Sequence, residues 1–215
     1  MRFYTLEYKS DAEIIGKTFP QSQEFVSLIP VDHPNHLWSV WGKLPDNIYI
    51  PDSILHKKTK VTDLISSSPI SYPIISEKLM RILEKYRNSG LKFLPTHLIV
   101  KGEKINYWLM NAYKFDYQYI DFTETIINKI GIGFVKIETL KINSAKELEL
   151  SIKEIVSLNK VESVWIDKLV LKDNIPDEMI FIDRFKGSNY YVSESLKEEI
   201  EKANCTGIDF VPHFQ

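Results

Sequence analysis

The sequence predicts an α+β protein, with a mostly antiparallel sheet and a few packed helices. The first observation is an internal repeat. Residues 74–95 match residues 191–212 without a gap, at a constant separation of 117 positions, and eight of the 22 positions are identical. The second observation is that short apolar runs alternate with turn residues along much of the remaining chain, as is typical of antiparallel strands.

Each copy of the repeat predicts a helix, a glycine turn and a strand. Ser76 and Ser193 are favoured helix N-caps, and the glutamate that follows each serine suits the positive end of the helix dipole. Gly90 and Gly207 stand where a helix ends in a left-handed residue, which glycine adopts without steric cost. We therefore expect the two copies to have equivalent backbones.

The second helix has a narrower apolar stripe than the first. Glu199 occupies the position that corresponds to Ile82, so one flank of this helix is predicted to meet water. Glu198, Glu199 and Glu201 together are typical of a solvated helix face.

Further elements are expected to extend the same sheet. Residues 1–71 predict strands and loops, beginning with an alternating segment at the N-terminus. A capping-box pattern at Ser144 predicts a helix that runs to about Leu158. The other expected strands are a hairpin of residues 96–100 and 104–112, followed by 134–141, 161–166, 168–171 and 179–185.

The domain organisation predicted from these elements is simple. Residues 1–60 form an N-terminal strand-rich part packed on residues 60–215, and the two parts together could equally be one domain. No low-complexity segment separates the two repeat copies.

Composition restricts the function. The chain has 215 residues, 44% of them hydrophobic, and a net charge of −2, so it can bury a sizeable core but has no basic footprint for nucleic acid or an anionic membrane. The N-terminus lacks the features of a signal peptide, and no stretch approaches membrane-spanning length. The single cysteine, Cys205, fits a reducing compartment. These observations predict a cytoplasmic protein.

Several segments in the repeat and between its copies share the pattern of a known family: residues 73–79, 90–95, the region of Asp121, 169–176, 180–181, 192–196 and 206–210. They resemble a large bacterial immunity-protein family of polymorphic toxin systems, formerly known only as a domain of unknown function. The resemblance covers about residues 60–212. It implies an antitoxin that binds and neutralises a cognate toxin encoded nearby.

Catalytic and metal-binding patterns are weak. Asp32, His33 and His36 lie close in sequence and could in principle bind a metal, but Pro34 interrupts them and surface turns collect such residues. Neither repeat serine lies in a glycine-flanked nucleophile elbow. The Gly-Ile-Gly sequence at residues 131–133 is typical of a turn, not of a dinucleotide site. We predict no catalytic, cofactor-binding or metal-binding residue.

Two classes of function remain open. The first is a binding protein that blocks a toxin stoichiometrically, and we favour it because it needs no catalytic motif. The second is an enzyme, such as a hydrolase acting on the toxin or its product, with a site that has no sequence signature. For the first class, tryptophan and tyrosine are common interface anchors, so residues 20–60, with Trp38, Trp41 and Tyr49, are the predicted partner-binding surface.

Overall fold

The computed structural model describes residues 2–40, 42–68, 70–87, 89–185 and 190–213. Within these residues the protein is α+β with mostly antiparallel sheets, as predicted. The helices are α1 (Ala12–Ile15), α2 (Glu77–Tyr86), α3 (Ala145–Leu158) and α4 (Glu194–Lys202). The strands are β1 (Phe3–Tyr8), β2 (Ser22–Val26), β3 (Asp52–Leu55), β4 (Leu64–Ile65), β5 (Ile74–Ile75), β6 (Leu91–Val100), β7 (Glu103–Ala112), β8 (Ile126–Ile130), β9 (Lys136–Leu140), β10 (Ser163–Lys168), β11 (Met179–Phe181), β12 (Tyr190–Ser193) and β13 (Ile208–Pro212).

The chain forms two compact units that interleave in sequence. The first unit contains Met1–Thr5, Phe115–Ser193 and Pro212–Gln215, and the second contains Leu6–Lys114 and Glu194–Val211. The partition between residues 1–60 and 60–215 stays a prediction.

The first unit is built on antiparallel strands covered by α3. Strands β10, β8 and β9 form one sheet in that order, while β12 pairs with β11 and with residues 3–5 of β1. The helix begins as predicted, since the Ser144 hydroxyl accepts a hydrogen bond from the Glu147 N–H at 3.2 Å. The core contains buried apolar residues from β1, β8, β10, β11 and β12 and Leu148 of α3, and the partly buried Leu140 of β9 packs against it.

The second unit contains a six-stranded sheet in the order β2-β3-β6-β7-β5-β4, in which only β3 and β6 pair in parallel. The predicted hairpin is confirmed as β6 and β7. Its two turn residues, Lys101 and Gly102, have φ values of 52° and 90°, and this pair of positive angles suits the twist of a two-residue hairpin. The main core cluster lies on this sheet and includes Ile65, Ile74, Leu98 and Leu109.

Both repeat copies contain a helix, a glycine at positive φ and a strand. The φ values of Gly90 and Gly207 are 74° and 81°, which confirms the predicted left-handed conformation. In the first copy, Ser76 is the N-cap of α2 and accepts a hydrogen bond from the Leu79 N–H. In the second, α4 begins directly after Ser193. That the two backbones superpose stays a prediction.

Glu199 is partly exposed, and it also contacts α2. Its carboxylate forms an ion pair with Lys85 Nζ at 2.8 Å and accepts a hydrogen bond from the Tyr86 hydroxyl. These contacts join the two repeat helices. Glu198 and Glu201 do lie on the exposed face, each paired with a lysine four residues away.

Three other secondary-structure predictions differ from the structure. Leu37–Ser39 form a 3₁₀ helix in a region predicted to contain only strands and loops, which also contains the short helix α1. Residues 168–171 do not form the separate strand that was predicted. Lys168 is the last residue of β10, and Leu171 forms an isolated bridge with Ile120. Strand β8 was not predicted, although two neighbours pair with it. No helix in the described part of the chain is long and apolar enough to cross a membrane.

Candidate functional site

Two of the predicted partner-binding residues, Trp38 and Tyr49, belong to an aromatic cluster in the second unit that also contains Phe25 and His36. The Trp38 ring packs edge-on against Phe25 at 4.9 Å and lies 4.6 Å from the His36 ring, measured between centroids. The centroid of the Tyr49 ring is 5.7 Å from that of His36. The strand β2, the 3₁₀ helix and the segment before β3 supply these rings, so the cluster joins three parts of the chain that are separated in sequence.

His36 is the buried centre of this cluster, and both of its ring nitrogens have protein partners. Nδ1 accepts a hydrogen bond from the Trp38 N–H at 3.3 Å, and therefore caps the 3₁₀ helix. Nε2 lies 3.3 Å from Ser27 Oγ, whose own hydrogen is donated to the Ile29 carbonyl. This arrangement requires the neutral ring with its hydrogen on Nε2.

The cluster supports an exposed apolar loop, residues 26–31, which directly follows β2. Leu28 is 79% exposed, and Val26 and Val31 are also exposed. The Leu28 N–H donates to the Tyr49 hydroxyl at 2.6 Å, so the backbone under this leucine is fixed by the aromatic cluster. A fixed loop with exposed apolar side chains can bind a partner at a low cost in ordering entropy.

Trp38 and Tyr49 are half-buried, and the Tyr49 hydroxyl contacts the loop directly. Trp41 lies outside the described residues, and the role of all three in partner binding stays a prediction. Sequence reasoning missed Leu28 and Val31 themselves. The available signal was an apolar run that continues past the end of a strand into a segment of turn residues.

Acidification is expected to weaken this site. Burial, together with the charge of His33, lowers the pKa of His36, so the unfolded chain takes up this proton before the folded protein does. Stability is then lost as the pH falls below the ordinary histidine pKa of about 6.5. His36→Asn retains an acceptor for the Trp38 N–H but cannot titrate.

The loss of stability in acid can be measured by urea unfolding of the parent and of His36→Asn at about pH 7.5 and pH 5.5, with tryptophan fluorescence as the probe. The parent should lose more stability on acidification than the variant. Equal losses in the two proteins would contradict the assigned tautomer.

Candidate catalytic groups are sparse elsewhere. His97 Nδ1 lies 3.0 Å from Asp52 Oδ1, and Lys104 Nζ lies 2.6 Å from the other oxygen of the same carboxylate. That carboxylate raises the pKa of Lys104, which keeps the amine protonated. In the described part of the chain no serine, threonine or cysteine forms a hydrogen bond with His97. Burial, with the nearby Asp63, raises the pKa of Cys205 to about 11, so its thiol is a poor nucleophile.

A metal site at residues 32–36 would require the ring of His36 to leave both of its partners. His33 Nδ1 accepts from the Asn35 N–H at 3.1 Å, which is ordinary turn geometry. Across residues 2–40, 42–68, 70–87, 89–185 and 190–213, no group of three or more histidine, cysteine, aspartate and glutamate side chains is arranged to hold a metal ion.

Comparison with family models gives a match over nearly the whole chain: the model described as the immunity protein family (Imm11) matches residues 3–213. The chain therefore belongs to this immunity protein family, and the match extends through the N-terminal residues for which sequence motifs gave no assignment. A search of curated proteins found no significant match.

Proposed function

We propose that this protein is a cytoplasmic immunity protein that neutralises a cognate secreted or contact-delivered bacterial toxin, encoded nearby, by forming a stoichiometric complex with it. Membership of the immunity family supports a toxin as the partner. The observation that supports binding as the mechanism is the rigid apolar loop at residues 26–31. The lack of a nucleophile beside His97 in the described residues favours binding over hydrolysis.

The proposed contact surface is the 26–31 loop with its aromatic support. Leu28 and Val31 supply exposed apolar area, while the Tyr49 hydroxyl holds the backbone at Leu28 and Trp38 packs on Phe25 of the preceding strand. Interfaces draw most of their energy from a few anchors that lose water on binding. An anchor that is already fixed before binding loses little rotamer and backbone entropy, so Leu28 is the strongest candidate for this role.

Leu28→Asp is expected to weaken the toxin complex by about 2 kcal/mol, which is roughly a 30-fold increase in Kd, because a carboxylate replaces an apolar anchor. The matched control is Leu158→Asp. Leu158 is 78% exposed, compared with 79% for Leu28, but belongs to α3 in the first unit. Both variants should melt like the parent, since neither leucine is packed.

The measurement is co-expression with the neighbouring toxin, followed by co-purification and titration of the purified domains. Loss of protection by Leu28→Asp but not by Leu158→Asp supports the proposed surface. Equal protection by both variants would place the contact elsewhere. Protection by trace amounts of the protein, without a stable complex, would instead support the enzymatic alternative.

A further inference from the structure

The first unit contains a surface pocket that the function proposed above does not use. Its volume is about 540 Å³. The turn between β8 and β9 forms one wall, and the beginning of β10 forms another. The lining residues are Ile130 to Phe134, Val161, Ser163, Val164, Trp165, Asp183 and Arg184.

The walls are apolar and unusually exposed. Ile132 is 76% exposed and Phe134 is 68% exposed, and Val161 is also exposed. The Phe134 ring packs edge-on against Trp165, with 5.1 Å between the centroids. Exposed apolar groups that surround one concavity are typical of a binding site for an apolar side chain.

The backbone of the pocket is held in a costly conformation at two positions. In the described chain, the residues other than glycine with positive φ are Lys101, Phe134, Arg184 and Asn204. Lys101 lies in the β6–β7 turn and Asn204 follows the end of α4, where this conformation is common. Phe134 and Arg184, at 62° and 63°, both line the pocket.

Hydrogen bonds maintain these conformations. The Gly131 N–H donates to the Val135 carbonyl at 2.8 Å and closes the turn around Phe134. The Ile166 N–H donates to the Arg184 carbonyl, also at 2.8 Å. Strain that is maintained in this way and concentrated at one cavity is a mark of a functional site.

The floor of the pocket is polar and preorganised. Arg184 Nη1 donates to Ser163 Oγ at 2.7 Å, and Arg184 Nε lies 3.5 Å from Asp183 Oδ2. The Tyr117 hydroxyl donates to the other oxygen of Asp183. Burial raises the pKa of Asp183, although the bond from Tyr117 and the charge of Arg184 oppose this effect. About a quarter of the Arg184 side chain remains exposed.

Exposed lysines lie next to the lining in sequence. Lys136 is two residues after Phe134 and Lys160 directly precedes Val161, and among the described residues neither forms an ion pair. Glu138 and Asp167 are exposed carboxylates of the neighbouring strands, and Lys129 pairs with Glu162 at 2.6 Å. The two lysines are available to an anion, and Arg184 adds a donor in the floor, since its Nε has no hydrogen-bond partner among the described residues.

We propose that this pocket binds a segment of a partner protein in which an aromatic or long aliphatic side chain lies beside acidic residues. The apolar side chain packs against Phe134 and Trp165, which already touch each other. The flanking carboxylates face Arg184 and the two neighbouring lysines, which can supply charge-assisted hydrogen bonds. The pocket needs only this chain, so its test is independent of the toxin.

The test is an NMR titration of the full chain with three capped pentapeptides. One has a central phenylalanine between aspartates, the second has the same phenylalanine between lysines, and the third has a central alanine between aspartates. The first peptide should shift the amide signals of residues 130–135, 161–165 and 183–184 in a saturable manner. The other two should bind at least tenfold more weakly.

Variants with intact folds sharpen the result. Phe134→Gly removes the ring but suits the positive φ, so it should fold and melt like the parent while it loses at least tenfold in affinity. Lys136→Glu combined with Lys160→Glu should have a similar effect, and the exposed Lys153→Glu in α3 should have none.

Three outcomes overturn the proposal. The first is that the pocket signals do not move, and the second is that the lysine peptide binds as tightly as the aspartate peptide. The third is that the same signals shift with protein concentration alone, which would make a second copy of this chain the occupant.

Discussion

Gly207→Ala is expected to destabilise the second unit by about 3 kcal/mol, the combined cost of backbone strain and overpacking. Gly207 is buried and has a φ of 81°, a conformation that a residue with a side chain rarely adopts. An added Cβ would lie 2.4 Å from the Leu64 carbonyl oxygen and 2.6 Å from Thr62 Oγ1. Relief of this overlap requires movement of the backbone, because a carbonyl oxygen cannot rotate away as a side chain can.

Alanine substitutions at two other glycines of the same unit distinguish the cost of backbone strain from the cost of steric overlap. Gly102 has a φ of 90° and nothing within 4 Å of the added Cβ, so Gly102→Ala pays for strain alone, about 1 kcal/mol. At Gly90 the nearest atom is Lys114 Cβ at 2.6 Å, whose position is set by its own backbone, so a loss larger than that at Gly102 is expected. Urea unfolding of the three variants measures the order. If Gly207→Ala loses no more unfolding free energy than Gly102→Ala, the predicted steric overlap at Gly207 does not destabilise the protein.

Local sequence signals predicted those elements whose causes are local. Ser144 and Glu147 lie three residues apart and cap one helix, and the turn residues Lys101 and Gly102 adjoin both of their strands. These interactions join residues that are close in sequence, so the spacing of residue types is sufficient to predict them. The α+β class followed from the same signals.

The contacts that build the two proposed surfaces could not be predicted in this way, because residues distant in sequence make them. Tyr49 fixes the loop at Leu28, which is 21 positions away in the sequence. Arg184 reaches a pocket whose aromatic wall begins with Phe134. Propensity even argues against Phe134 in its observed conformation, since an aromatic residue seldom has positive φ. Functional sites are where such local disagreements are expected.

Asp63 illustrates the same limit in the core of the second unit. Its carboxylate accepts hydrogen bonds from the Ser76 hydroxyl at 2.7 Å and from the Thr206 N–H at 2.8 Å, and it lies 3.1 Å from Lys78 Nζ. Ser76 caps the helix of the first repeat copy, and Thr206 directly precedes the glycine of the second copy. One carboxylate therefore connects the two copies, although nothing in the sequence around residue 63 indicates it.

Asp63→Asn is expected to cost about 2 kcal/mol at neutral pH, because an amide cannot accept from all of these donors and leaves some of them unpaired in a largely buried site. The control is Asp209→Asn in the same unit. Asp209 is half-exposed and pairs only with Lys9 at 3.3 Å, so its loss should cost no more than about 0.5 kcal/mol.

The cost of Asp63→Asn should also depend on pH. Burial alone would raise the pKa of Asp63, but the hydrogen bonds from Ser76, Thr206 and Lys78 outweigh it and hold the pKa below its usual value. As the pH falls below about 4, the unfolded chain is protonated first, and the contribution of the carboxylate is lost as the pH passes through the folded pKa. The stability difference between the parent and Asp63→Asn, measured by urea unfolding from neutral to acidic pH, should therefore be constant above about pH 5 and shrink below about pH 4. A difference that stays unchanged in acid would mean that the asparagine acts through its shape, and that the charge of Asp63 contributes nothing to joining the two copies.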